Sequence, residues 1–152
     1  MAPLIVMIVS LLVTRSIAIT GMWQEGDSWT GALRVALGTM FVFTAVSHFH
    51  PRTRPDLIRI VPPGLPTPEL LVTATGVLEF IGAIGMLLPQ ALAAAAYGLI
   101  VLLVAMFPAN VYAARAGLVV AGRRASPLVW RLPLQLFWMS ALWWVGWSMP
   151  AR

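Results

Sequence analysis

The chain has 152 residues and a mass of 16.5 kDa, a length typical of a single domain. Hydrophobic residues make up 60% of it and charged residues only 10%, and the mean hydropathy of +0.88 excludes a water-soluble globular protein. Its 10 basic residues are all arginine and, with 5 acidic residues, give a net charge of +5. The absence of cysteine excludes disulfides, thiol nucleophiles and cysteine-ligated metal sites.

Five apolar stretches follow one another along the chain, and each is close to the roughly 20 residues that a helix needs to cross a bilayer. They account for most of the sequence, which therefore predicts an all-α fold: a polytopic transmembrane helix bundle forming a single membrane domain over residues 1–152. The predicted spans lie at about residues 3–22, 31–49, 68–88, 91–113 and 128–149.

The first stretch, 3–22, is open to two interpretations. As a signal peptide it would need a basic opening segment and a small-residue cleavage site, and neither precedes Met22. We therefore expect a retained helix. Arg15 within it either extends towards the nearer membrane interface or faces a neighbouring helix.

Arginines concentrate in two loops, 50–67 and 114–127, which five spans place on the same side of the membrane. The positive-inside rule predicts that these loops are cytoplasmic, in an integral protein of the cell (inner) membrane. Glu25, Asp27 and Arg152 then fall on the opposite side. Four spans with a cleaved or peripheral N-terminal segment leave the two loops cytoplasmic as well. Membrane topology explains the net charge, and no nucleic-acid partner is predicted.

Glu79 is the polar residue that a lipid environment should exclude most strongly. It lies ten positions after Glu69, and thus about 15 Å into a hydrocarbon core about 30 Å thick. A carboxyl at that depth must be neutral, paired or in contact with a wet cavity. One interpretation is a protonated side chain that only bonds a neighbouring helix; the other is a group that binds a ligand or exchanges a proton with it.

Four further polar residues lie near the arginine-rich end of the spans. Counting about 1.5 Å per residue from the helix ends places Arg131 about 5 Å, Asn110 about 6 Å and Gln135 about 10 Å inside. His48 ends the second span on the same side. Arg131 and Gln135 share a helix face at i, i+4 despite Pro133, which the first turn of a helix tolerates. With the mid-membrane carboxyl, these residues predict a polar funnel descending from the cytoplasmic interface.

Structural roles remain open for these same residues. Arg131 is also explained as a side chain that extends to the interface, and Asn110 as a cap or helix bridge beside Pro108. His48 and His50 are two positions apart, a spacing that suits neither one helix face nor a metal pair, so no metal site is predicted.

The segment after the second span contains four prolines between residues 60 and 68, so it cannot be helical throughout. Together with residues 55–59 it predicts a short amphipathic segment at the membrane interface. This segment either covers the funnel as a lid or serves as a rigid link into the third span.

Six short motifs occur in a fixed order along the chain: Ser47-His48-Phe49, Ile60-Val61-Pro62-Pro63, Leu65-Pro66-Thr67-Pro68-Glu69-Leu70, Gly76-Val77-Leu78-Glu79, Phe107-Pro108-Ala109-Asn110 and Arg131-Leu132-Pro133-Leu134-Gln135. This ordered set, over about residues 31–149, resembles the DoxX family of small membrane proteins. The resemblance implies a four-helix core to which residues 3–22 add an N-terminal helix. Some members of that family are associated with thiosulfate oxidation linked to quinone reduction, or with membrane redox complexes. The cysteine-dependent members have no counterpart here.

The residues and the resemblance together predict that the protein binds a lipophilic, quinone-like molecule. Its oxygen-bearing head would lie among His48, Asn110, Arg131 and Gln135. Glu79 and His48 would relay protons, and Arg131 would stabilise negative charge that develops on an oxygen. The quinone is the only cofactor that this hypothesis names, and a partner redox subunit would have to supply electrons.

Two other function classes stay open. The same residues suit a membrane-embedded isomerase, cyclase or hydrolase acting on an isoprenoid or other lipid, with Glu79 as general acid. They also suit a non-catalytic assembly or scaffold subunit, in which polar contacts only fix the helix register. The sequence leaves the oligomeric state open, with a homo-oligomer among the alternatives.

Overall fold

A computed structural model describes residues 2–21, 28–120 and 122–148. Over these residues the chain is almost entirely helical and has one ribbon of two-residue strands, so the all-α prediction is confirmed. Glu25, Asp27 and Arg152, which the sequence assigns to one side of the membrane, lie outside the described residues. The elements are α1 (Ala2–Ile19), α2 (Trp29–Phe49), α3 (Arg54–Arg59), α4 (Pro68–Leu87), α5 (Leu92–Arg115) after a 3-10 turn (Pro89–Ala91), β1 (Val119–Val120), β2 (Arg123–Arg124) and α6 (Leu128–Ser148).

Four helical segments are long and apolar enough to cross a membrane: α1, α2, α4, and α5 together with the 3-10 turn before it. The chain is therefore a membrane protein. The fifth predicted span forms α6, which has 21 residues but is not among these four segments. Its polarity is higher because Arg131, Gln135 and several tryptophans replace aliphatic residues.

Four helices form the core of the bundle. α2 packs against α4, α4 against α5, and α5 against α6, and α6 returns to α2. α1 lies outside this ring on α2, as the prediction of an additional N-terminal helix requires. Large side chains at the centre of the bundle are fully buried: Leu37, Phe41, Met86, Leu99 and Leu142.

Arg15 on α1 faces a neighbouring helix. Its guanidinium carbon lies 4.8 Å from the centre of the Trp29 ring at the start of α2, which is cation–π geometry. The structure thus favours the second of the two placements that the sequence leaves open for this arginine.

Small residues allow the core helices to approach closely. A Cβ added at Gly85 on α4 would lie 2.7 Å from the Cβ of Ala95 on α5, and one added at Gly146 on α6 would lie 3.0 Å from the Cβ of Ala96. In lipid, where apolar burial does not drive helix association, such close backbone packing contributes much of the attraction.

Arg54 at the start of α3 fixes the relative height of α2 and α4. Its Nη1 donates to the carbonyl oxygen of His48 (3.0 Å), and its Nη2 donates to the carbonyl oxygen of Glu69 (3.2 Å) and to Oγ1 of Thr73 (2.8 Å). Arg54 thereby links the last turn of α2 to the first two turns of α4, and the beginning of α4 extends past the end of α2, since His48 lies beside Gly76, the ninth residue of α4.

The position of Pro133 differs from the expectation. α6 begins at Leu128, so this proline is the sixth helical residue and lies in the second turn, and the prediction of a first-turn position is wrong. The helix nevertheless continues to Ser148, with one backbone hydrogen bond fewer because proline has no N–H.

Candidate functional site

A cavity of about 680 Å³ lies between the core helices at the end of the bundle that carries the loops 50–67 and 114–127. Most of its lining is apolar. All five polar residues that the sequence singles out line it: His48, Glu79, Asn110, Arg131 and Gln135. They come from α2, α4, α5 and α6, so each core helix contributes at least one of them.

Glu79 and His48 are in contact inside this cavity. Oε2 of Glu79 lies 3.6 Å from Nδ1 of His48, and the two residues are only 4% and 8% exposed. Oε2 accepts no hydrogen bond from any residue that the structure describes. A carboxyl and an imidazole, the two groups most often used in acid–base catalysis, therefore lie side by side in a low-dielectric environment.

The tautomer of His48 follows from a second contact. Its Nδ1 lies 3.0 Å from the carbonyl oxygen of Thr44, one helical turn earlier. Because a carbonyl oxygen only accepts, Nδ1 must carry the hydrogen of this bond. In the neutral imidazole, the lone pair is then on Nε2.

Gly76 on α4 makes this arrangement possible. A Cβ at position 76 would lie 2.5 Å from Cβ of His48, 2.9 Å from its Cγ and 2.9 Å from Cε2 of Phe49. Real Cβ atoms do not approach carbon atoms so closely, so only glycine at this position allows α2 and α4 to meet at His48.

The sequence did not predict that Glu79 and His48 would touch. Counting depth from the end of each helix placed His48 at the interface and Glu79 near mid-membrane. The two meet because α4 begins beyond the end of α2, an offset that Arg54 maintains through its bonds to both helices. Arg54 is a positioning residue that sequence reasoning had counted only as part of the loop charge.

Arg131 and Asn110 form the outer part of the site, closest to the loops. Nη1 of Arg131 donates a hydrogen bond to Oδ1 of Asn110, and its Nε donates to the carbonyl oxygen of Ser126 at 2.9 Å. Arg131 is half-buried rather than fully exposed. Asn110 thus bridges α5 and α6, as its structural interpretation predicts, and at the same time lines the cavity.

Gln135 lies deeper on the same face of α6 and is 6% exposed. Its Nε2 donates to the carbonyl oxygen of Leu103 on α5 at 2.6 Å. This carbonyl lies next to that of Val104, which loses its own helical partner because Pro108 has no N–H. The side-chain amide therefore links the two helices where the backbone of α5 is weakest.

The proline-rich segment forms one wall of the cavity. Residues 54–59 form the short helix α3, and Leu57 lines the cavity together with Ile60, Val61, Pro62 and Leu65. The segment therefore borders the predicted funnel, as both of its expected roles, a lid and a rigid link, require.

Among residues 2–21, 28–120 and 122–148, no group of three or more histidine, cysteine or carboxylate side chains is arranged to hold a metal ion. His50 is exposed, and its Nδ1 accepts a hydrogen bond from the backbone N–H of Arg52. It caps the end of α2 and takes no part in the cavity.

Residues 37–146 match the family model described as Domain of unknown function (DUF8561). This range contains His48, Glu79, Asn110, Arg131 and Gln135 and excludes α1. No curated protein and no solved structure matches the chain. The resemblance to the DoxX family is not tested by these comparisons and stays a prediction.

Proposed function

The chain belongs to the DUF8561 family, and we propose that it binds a lipophilic, quinone-like molecule in the cavity between its core helices. The observation that carries the proposal is the convergence of five polar side chains from four helices on one apolar-walled cavity. A volume of about 680 Å³ lies within the range of small-molecule sites, which combine apolar walls with a few orienting polar groups.

Each end of the cavity has a distinct role in this proposal. Arg131 and Asn110 present N–H donors to a ligand oxygen, and Gln135 orients the same head group from deeper in the bundle. The Glu79–His48 pair supplies or accepts protons, because quinone reduction consumes two protons with two electrons. The electrons come from a redox partner protein, so the proposed role is redox-associated and extends to an oxidoreductase, or a subunit of one, of the kind that the DoxX resemblance implies.

A proton-transfer enzyme acting on an isoprenoid or another lipid is the second candidate. The contact between Glu79 and His48 favours it, because an acid and a base side by side can move a proton within a ligand without any electron carrier. Incubation with isoprenoid and quinol substrates separates the two candidates. The first candidate changes quinone absorbance, and the second gives a rearranged product of altered retention with no absorbance change.

The binding proposal is tested with Glu79→Gln and with Glu69→Gln as a matched control, since Glu69 is exposed on the same helix and does not line the cavity. We expect purified wild type and the control to bind a short-chain quinone equally, and Glu79→Gln to bind more weakly and lose turnover with an unchanged unfolding temperature. Equal quinone binding by all three proteins, with full activity in both variants, would contradict the proposal and leave a scaffold role for the polar cluster.

We also propose that the loops 50–67 and 114–127 face the cytoplasm of the inner membrane, which assumes that α6 completes five spans. The cysteine-free sequence allows a clean test with single-cysteine variants. A membrane-impermeant maleimide applied to intact cells should label Gln90→Cys and should not label Arg59→Cys or Gly117→Cys until the cells are broken. The opposite pattern would reverse the orientation.

A further inference from the structure

We infer that the outer end of the cavity binds an anionic oxygen group, a carboxylate or a phosphate, carried by an amphiphilic ligand. The outer end is defined by Arg131, Asn110 and the carbonyl of Ser126. The inference rests on the proposed function in one respect, that the cavity is a ligand site, and it does not require the ligand to be a quinone.

No carboxylate of the described residues neutralises the charge of Arg131. Its two hydrogen bonds go to neutral acceptors, and it pairs with no carboxylate in the part of the chain that the structure covers. Glu79, the other ionisable group on the cavity wall besides His48, contacts His48 instead. A guanidinium stays charged in a protein, and charges withdrawn from water are normally paired.

Asn110 adds donors to this end of the cavity. A guanidinium has only N–H donors, so the side-chain oxygen of Asn110 must face Arg131, and its orientation is fixed. Its Nδ2 then presents two N–H groups and bonds no described residue. Five N–H groups are left on this pair, two on Nδ2 of Asn110 and three on the guanidinium, against one remaining lone pair on Oδ1, so donors predominate.

The ligand that complements such a pair is rich in acceptors and negatively charged. Charge-assisted bonds from arginine to a carboxylate or phosphate are shorter and stronger than bonds between neutral groups, and they suit a planar fork of donors. A neutral carbonyl would satisfy one or two of these donors but would leave the positive charge without a partner. The geometry therefore favours an anion over a neutral head group.

Two further features favour an amphiphile. The loops 50–67 and 114–127, which flank this end, contain six arginines and one acidic residue, a balance that raises the local concentration of anions. The walls between the two ends are apolar, with Ile60, Met106 and Leu134 among them, and can accommodate an acyl or isoprenoid tail. The anionic group has two sources, a free long-chain acid or the head group of an anionic bilayer lipid.

Native mass spectrometry of the purified protein in a neutral detergent distinguishes these cases. The probes are palmitate, its neutral analogue hexadecanol, and the phospholipids phosphatidylglycerol and phosphatidylcholine. We expect wild type to bind palmitate in preference to hexadecanol, and Arg131→Gln to lose palmitate about tenfold or more, as the removal of a charged hydrogen-bond partner predicts. The matched control Arg115→Gln, at the exposed end of α5, should bind as wild type does.

Asn110→Asp keeps the test decisive if Arg131→Gln fails to fold. The new carboxylate pairs with Arg131 in place of a ligand, so we expect this variant to fold and still to lose palmitate binding. If wild type retains phosphatidylglycerol in preference to both phosphatidylcholine and palmitate, and both variants lose this preference, the source of the anionic group is a bilayer lipid.

Equal binding of palmitate and hexadecanol, or undiminished palmitate binding in Asn110→Asp, would overturn the inference. If quinone still binds under those conditions, the proposed function stands alone. If neither quinone nor any amphiphile binds, both the proposed function and the inference fail.

Discussion

Replacing Gly76 with alanine is the sharpest test of how the candidate site is built. The added methyl group would lie 2.5 Å from Cβ of His48 and 2.9 Å from Cε2 of Phe49. Carbon atoms in contact are about 3.5–4.0 Å apart, so α2 and α4 must separate, or His48 must move, by about 1 Å. Neither Cβ is the far end of a flexible side chain, so a change of rotamer cannot relieve the clash.

The size of the effect follows from this displacement. Overpacking of this kind costs about 1–3 kcal/mol in the free energy of unfolding. The contact between Glu79 and His48 is already 3.6 Å long, and a further separation of about 1 Å would break it. Displacements of about 1 Å at a reacting group lower rates by about a hundredfold. We therefore expect Gly76→Ala to lose most of the activity that either proposed function assigns to the site.

The matched control is Gly98→Ala on α5, where an added Cβ meets nothing within 4 Å. Both variants replace a helical glycine, so their difference isolates the contact with His48. Thermal unfolding in detergent and quinone binding should both be impaired in Gly76→Ala and unimpaired in Gly98→Ala. If Gly76→Ala binds quinone and unfolds as wild type does, α2 and α4 do not meet at His48. That result would also contradict the proposed acid–base pair of Glu79 and His48.

Two further substitutions test individual links in the bundle by thermal unfolding. Arg54→Gln removes donors that join α2 to α4 and should lower the free energy of unfolding by about 1–3 kcal/mol. The control Arg59→Gln loses only an exposed ion pair and should change the free energy of unfolding by less than about 1 kcal/mol. Equal effects of the two substitutions would contradict the bridging role of Arg54. Gln135→Leu leaves the carbonyl oxygen of Leu103 without its side-chain donor and should lower the free energy of unfolding by about 1–3 kcal/mol. The control Ser140→Ala, on the exposed face of α6, should leave the free energy of unfolding unchanged. No change in Gln135→Leu would mean that this hydrogen bond contributes nothing to stability.

The helices were predictable because a helix that crosses a bilayer needs roughly 20 consecutive apolar residues. The expected spans agree with the observed helices to within three residues at either end, and the expected break between α4 and α5 falls on the 3-10 turn at Pro89–Ala91. The ribbon formed by β1 and β2 was not predicted, because two-residue strands leave no periodic pattern in a sequence.

The residues that line the site were predictable for a similar reason. Polar residues in apolar helices are costly, so Glu79, Gln135 and Asn110 attract attention without any knowledge of packing. The contact between Glu79 and His48 was not predictable, since it depends on the offset between two helices. That offset is set by Arg54 and by the missing side chain at Gly76, and neither carries a signal that depth counting detects.

The distribution of hydrogen-bonding groups in the cavity would give the proposed ligand one orientation. At the inner end, a buried carboxyl oxygen has no donor from the described residues, and the neighbouring imidazole has a lone pair on Nε2. At the outer end, Arg131 and Asn110 retain mainly donors, beside loops of positive charge. The anionic group of the proposed amphiphile meets the donors of the outer end, and the part of the ligand that reaches the inner end exchanges protons with Glu79 and His48. In the reverse orientation the anionic group would lie against the carboxyl of Glu79 and leave Arg131 without a counter-ion, so in the proposed site the binding groups also determine which end of the ligand meets the acid.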